Sequence, residues 1–255
     1  MTNMDQLTEL EEQLLSEHFR FYTSKEYTIQ PVEVIPGVDI HIRGRLEHHL
    51  YQMMDYLQSD SIIATASTFM KRYAYLIVTA SLAPISIFNK SPKLTFDNIV
   101  LLRMDNHKQW LPTIRFIDKT VSPFQEGDRF VWLKENCTTI FRDHLSVVIE
   151  HIHRISKTPI QVLWENVAVY FYWFYERYAN KIVQNEQQVA ILYNDFHTIV
   201  QEFDGKVFGE RENPIRHVFY QRKLPTEARV RKTCCLTYLL NETSSYCKIC
   251  PHQCR

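Results

Sequence analysis

The sequence predicts an α+β fold, a mainly helical body with a small antiparallel sheet, closed by a C-terminal cysteine-rich tail. Three observations carry this. The 255 residues include only five glycines against ten prolines, which favours long regular elements over tight turns. Apolar residues recur at helical spacing along most of the chain and alternate only in short runs. Five of the six cysteines fall in the last 22 residues, where four to five thiols need a common partner.

Leucines at 7, 10, 14 and 15 form a 3.6-period stripe and predict a helix from Asp5 to Phe19. From Thr28 to Arg43, Val32 and Val34, then Val38, Ile40 and Ile42, flank Pro36-Gly37, which predicts a turn between two short extended segments. Glu47 to Gln58 and Ser61 to Phe88 are helical in pattern, with Ser59 or Ser61 as an N-cap and Pro84 bending or ending the second helix. Asn98 to Met104 and Trp110 to Ile117 predict a hairpin joined by the polar link 105–108. Helical spacing returns over 128–156, from Pro159 to about Val183, and over 186–203; Arg216 to Gln221 predicts a short strand leading into the tail. The expected division is a body of residues 1–214 and a C-terminal metal-binding segment of residues 215–255.

The formal net charge is zero, so the whole chain has no electrostatic preference for nucleic acid. From Ile215 onward, however, eight Lys/Arg stand against Glu227 and Glu242, a local charge of +6 that favours anionic ligands. The N-terminus is acidic and amphipathic, with no basic n-region or apolar h-region, and the apolar stretch from Ser61 to Phe88 is broken by Lys71-Arg72 and Pro84. A cytoplasmic protein without an integral membrane segment is the expectation. In a reducing compartment, clustered cysteines mean metal rather than disulfides.

The tail reads Arg231-Lys-Thr-Cys234-Cys235-Leu-Thr-Tyr238, eight further residues, then Cys247-Lys-Ile-Cys250-Pro-His-Gln-Cys254. Gathered thiolates select zinc, copper(I) or an iron–sulfur cluster. Structural zinc favours two Cys-x₂₋₄-Cys knuckles; here there is one knuckle and a directly adjacent pair, whose two side chains do not easily reach one tetrahedral centre. A two-iron cluster spreads its ligands over two metals, so the spacing favours iron–sulfur over zinc, with free thiols as the remaining alternative. Cys234, Cys235, Cys247 and Cys250 are the natural set, Cys254 is a candidate alternate, and Cys137 sits at a helical core position. The aromatic run Tyr170-Phe-Tyr-Trp173-Phe-Tyr175 predicts a helix buried on most sides, with Trp173 or Tyr178 available to a pocket. The eleven histidines form no ligand constellation. No nucleotide, nicotinamide or flavin fingerprint is present, which argues against a chain that collects its own electrons from NAD(P)H.

These tail residues resemble the C-terminal motif of the FhuF-like ferric-siderophore reductases, Cys-Cys-x₁₀-Cys-x₂-Cys with Arg before the pair, Leu-x-Tyr after it and Pro after the last cysteine. Leu163-Trp164-Glu-Asn166-Val-Ala168 is similar to that family's Leu-Trp-Gly-Asn-Val-Ala helix, and Asn213-Pro214 precedes the tail as expected. Here the gap between pairs is eleven residues, Cys254 is additional, and Glu165 replaces the glycine. The resemblance implies a [2Fe–2S] cluster on Cys234, Cys235, Cys247 and Cys250 that reduces a cytoplasmic ferric siderophore. Substrate contacts are expected from Arg229, Arg231, Lys232 and Lys248 by charge, and from Trp164 and Trp173. The competing readings are a zinc-stabilised, non-enzymatic binding protein and an iron–sulfur redox or iron sensor.

Overall fold

The computed structural model describes residues 5–22, 30–104, 110–183, 185–219, 221, 223–224, 226 and 228–254. Its axis is a 27-residue helix. In chain order the elements are β1 (Asp5–Gln6), α1 (Glu9–Phe19), β2 (Glu33–Pro36), α2 (Gly37–His41), α3 (Arg43–Tyr56), α4 (Ile62–Phe88), β3 (Lys90–Pro92), β4 (Ile99–Arg103), β5 (Thr113–Phe116), β6 (Thr120–Pro123), α5 (Arg129–Thr138), α6 (Val147–Ser156), α7 (Ile160–Tyr172), α8 (Glu186–His197) and α9 (Arg216–Phe219). Wider π-turns cover Thr139–Ser146, Trp173–Tyr178 and Thr198–Glu202. The first of these joins α5 to α6 without a break in helical backbone, as the single apolar stripe over 128–156 predicts.

The Ser61 hydroxyl caps α4 by accepting the Ala64 N–H, satisfying one donor the first turn leaves orphaned. Pro84 does not end α4: the helix runs on to Asn89, whose left-handed backbone (φ 54°) closes it and whose N–H returns to the Pro84 carbonyl. Nearly every residue of α4 from Ala64 onward is buried, because α1, α3, α6, α7 and α8 pack around it. α7 lies along it and buries Val162–Ala168 without interruption, including Glu165 and Asn166.

Two three-stranded antiparallel sheets flank the helices. In β2-β4-β5, Ile35 faces Leu101 and Leu101 faces Ile114, so the predicted hairpin is present as β4 and β5; its 105–108 link lies outside the described residues. The second sheet, β1-β6-β3, was not predicted, since strands of two to four residues are too short to show an alternation.

Three expectations need correcting. Asp5–Gln6 form a strand, and the helix expected from Asp5 starts at Glu9, after the Thr8 N-cap. Residues 37–41 are helical rather than extended. Gly37 marks a close approach: a Cβ there would meet Ile99 Cγ1 and the Phe96 carbonyl oxygen, each at 2.3 Å. Residues 216–219 are a helical turn, not a strand. Its start is fixed by Asn213, whose Oδ1 accepts the Ile215 and Arg216 N–H groups at 3.0 and 3.2 Å while its amide donates to the carbonyls of Ile199 and Phe203.

Candidate metal centre in the cysteine tail

A backbone crossing brings the two halves of the cysteine motif together: Arg231 N–H donates to the Ile249 carbonyl at 2.9 Å, which sets residues 231–235 beside 247–250. Between them the chain turns through Leu236, a non-glycine residue in the left-handed region (φ 61°), into a 3₁₀ turn over Thr237–Leu239. The loop is tied to the body where Asn241 Nδ2 donates to the Leu57 carbonyl at 3.0 Å.

The turn at Leu236 aims the adjacent sulfurs at different partners. Cys235 Sγ lies 3.8 Å from Cys247 Sγ, and Cys234 Sγ lies 3.8 Å from Cys250 Sγ. Two thiolates on one tetrahedral metal at a bond length of about 2.3 Å are separated by about 3.8 Å, so each pair is spaced as ligands of one metal. Among the described residues, no three His, Cys, Asp or Glu side chains converge on a single ion; these sulfurs come in twos. The donor set is all-sulfur, and its chemistry fits a soft-metal or iron–sulfur site. Cys254 stands apart, its thiol donating to the Lys248 carbonyl at 3.2 Å.

Charge is uneven across the two pairs. The contact with Cys247, then Lys71, the Thr237 hydroxyl and Arg231, stabilise the Cys235 thiolate, so the Cys235 pKa falls to about 4 despite burial. The same contact holds the proton on Cys247, whose pKa is raised. Cys234 is also raised, chiefly by burial and then by its neighbouring sulfurs, against a 3.4 Å hydrogen bond from the Leu236 N–H.

One turn of α7 grips the tail. Glu165, 1% exposed, accepts the backbone N–H groups of Lys232 (2.5 Å) and Thr233 (2.8 Å) and the Thr233 hydroxyl, and faces the Arg231 guanidinium at 3.7 Å. Asn166 Nδ2 donates to the Ser67 carbonyl and hydroxyl, both at 3.0 Å, and the Ser67 hydroxyl donates to the Cys235 carbonyl at 2.8 Å. A relay thus runs from α7 through α4 to the backbone of the Cys-Cys pair. Trp164 is buried beside it, its indole N–H donating to Glu210 at 2.7 Å.

The expected substrate contacts separate accordingly. Trp164 is a core residue and Arg231, 3% exposed, is turned inward on Glu165, so neither presents its side chain to a docked chelate. Arg229 is held by both Glu176 oxygens (2.6 and 3.0 Å) and stacks 4.9 Å over Tyr172, so its charge is largely compensated. Lys232 and Lys248 are exposed. Trp173 is half-buried, stacked on Tyr178 at 4.5 Å, and lines a hollow of about 100 Å³ that reaches Ile249. Sequence reasoning missed Lys71, Ser67 and the anchoring role of Glu165. All three lie far from the tail along the chain; the traces were the Lys71-Arg72 interruption of an apolar helix and the Glu165 replacement in the tryptophan motif.

Residues 67–244 match the family described as "Ferric iron reductase FhuF-like transporter". No curated protein matches. Among solved structures, aerobactin synthetase IucC from a hypervirulent pathotype of Klebsiella pneumoniae is similar at a TM-score of 0.50 and 11% identity. The similarity covers 74% of this chain and 37% of that one, so the chain spans little more than a third of the synthetase, and the likeness is one of fold.

Proposed function

The chain belongs to the FhuF-like ferric iron reductase family, and from that premise we propose that it is a cytoplasmic ferric-siderophore reductase in which Cys234, Cys235, Cys247 and Cys250 hold a [2Fe–2S] cluster. In this reading residues 1–214 are the scaffold and 215–255 the cluster-bearing segment. The observation that carries it is the cross-paired sulfur geometry, Cys234 with Cys250 and Cys235 with Cys247 at 3.8 Å each. One metal on each pair is the arrangement a two-iron cluster requires, and the adjacent Cys234 and Cys235, aimed at different partners, favour it over a single zinc ion.

When bound, such a cluster supplies one electron at a potential tuned by charge, N–H···S hydrogen bonds and exposure. The protein's own residues set those three quantities. Leu236 N–H donates to Cys234 Sγ, Lys71 and Arg231 place positive charge by the Cys235/Cys247 pair, and α7 fixes the backbone through Glu165 and Asn166. The substrate iron(III) is held by hard oxygen donors that bind iron(II) far less tightly, so one added electron frees it to competing ligands. Exposed Lys232 and Lys248 favour the approach of an anionic chelate, and an external donor such as a ferredoxin, a flavodoxin or a reductase restores the electron. Among the described residues no helix is long and apolar enough to cross a membrane.

The test is a single-turnover mixture. Anaerobically purified red-brown protein, reduced and mixed with ferric siderophore and an iron(II) trap, is expected to reoxidise as trapped iron accumulates, one iron per cluster. Reoxidation without released iron points to a sensor, and colourless protein carrying zinc overturns the proposal.

A further inference from the structure

Lys71 and Arg72, adjacent on α4, face different surroundings. Lys71 acts on the Cys235 and Cys247 sulfurs. Arg72 lines a second cavity, of about 140 Å³, together with Arg20, Tyr75, Leu111, Pro112 and Tyr170. Two arginines line it and, among the described residues, no acidic residue does. Arg20 donates to the Leu111 carbonyl at 2.7 Å, while Arg72 Nε is buried without a hydrogen-bond partner. The walls are otherwise aromatic and aliphatic: Tyr75, whose pKa burial raises to about 12 and which is therefore neutral, meets Tyr170 edge-on at 5.2 Å and Trp173 at 5.7 Å.

We propose that this cavity is the docking site for an anionic, carboxylate-bearing arm of the iron chelate, with Arg72 and Arg20 as its ligands. The proposal rests on the reductase reading. A planar carboxylate suits the bidentate fork of arginine, and a short apolar stem suits the tyrosine and proline walls. The cavity admits one arm and leaves the iron outside it. Tyr170 also lines the hollow that reaches Ile249, next to Cys250, so the two hollows share a wall.

The test uses redox-inert gallium(III) citrate as the carboxylate probe and the gallium(III) complex of an uncharged trihydroxamate as control, titrated into cluster-loaded protein by calorimetry. Arg72→Gln and the double variant Arg20→Gln/Arg72→Gln are compared with wild type, after the visible spectrum and Tm are shown unchanged. The citrate complex is expected to bind about 10- to 100-fold more weakly to each variant, with Arg72→Lys recovering part of the loss and the uncharged complex unaffected. Equal weakening of both complexes, unchanged citrate binding, or no binding to wild type overturns the site. Unchanged citrate binding with slower reduction by a protein donor also overturns it and assigns the two arginines to the donor. Wild type that binds gallium citrate but releases no iron from ferric citrate leaves the site standing and sinks the reductase reading instead.

Discussion

Glu165→Gln isolates the joint between scaffold and tail. Both members of the Glu165–Arg231 pair are 1% exposed in their side chains, so solvent screens them little. At 3.7 Å and an effective dielectric of about 20, the Coulomb term is about 4.5 kcal/mol. Removing one partner of such a pair costs about 3–5 kcal/mol because the other charge is left buried. The low end applies here: the Arg231 Nη atoms make no hydrogen bond, so the pair is not ideally seated. Glutamine keeps the shape but cannot accept from Lys232 N–H, Thr233 N–H and the Thr233 hydroxyl as a carboxylate does. A loss of about 3 kcal/mol corresponds to roughly 10²-fold faster hydrogen exchange at the Lys232 and Thr233 amides. The assay is exchange resolved to these residues, with urea unfolding for the global value. The double variant Glu165→Gln/Arg231→Met should recover most of the loss, since a buried pair replaced together by uncharged groups is often neutral. Exchange within about threefold of wild type in the single variant, or a double variant worse than the single, would refute the assignment of Glu165 as the anchor.

Three further outcomes follow from the same geometry. His144 is fully enclosed, bonded to the Tyr73 hydroxyl at 2.5 Å and stacked on Phe96 at 4.1 Å; burial and then the His41 charge lower its pKa to about 3. The unfolded chain takes up that proton near pH 6.5 and the folded one does not, so stability is lost as pH falls from about 6.5 toward 3, by about 1.4 kcal/mol per unit; in urea unfolding from pH 7.5 to 5, His144→Phe should show a slope shallower by about one proton. Cys254→Ser should keep full iron and sulfide content by chemical assay, whereas Cys247→Ser or Cys250→Ser should lose at least half, since only the latter two belong to the 3.8 Å pairs. Lys232→Glu with Lys248→Glu should slow reduction of anionic chelates several-fold at low salt, leave uncharged ones unchanged and lose the difference at high ionic strength; equal slowing of both removes the charge argument.

The sequence by itself determined the helical body, the β4–β5 hairpin and the group of soft ligands, because each is written locally: in a 3.6-residue stripe, in a short alternation, in cysteines a few positions apart. It even carried the tail-gripping turn as the Trp164–Asn166 motif, although not its purpose. Only the tertiary structure decided which sulfurs pair, because that depends on the left-handed turn at Leu236 and the Arg231–Ile249 crossing. It also decided which charges are available. Composition counts Arg229 and Arg231 with Lys232 and Lys248, yet contacts with Glu176 and Glu165 compensate the first two and leave the lysines exposed. Charge that acts on a site depends on what each side chain packs against, and for these residues the partners lie more than fifty positions away along the chain.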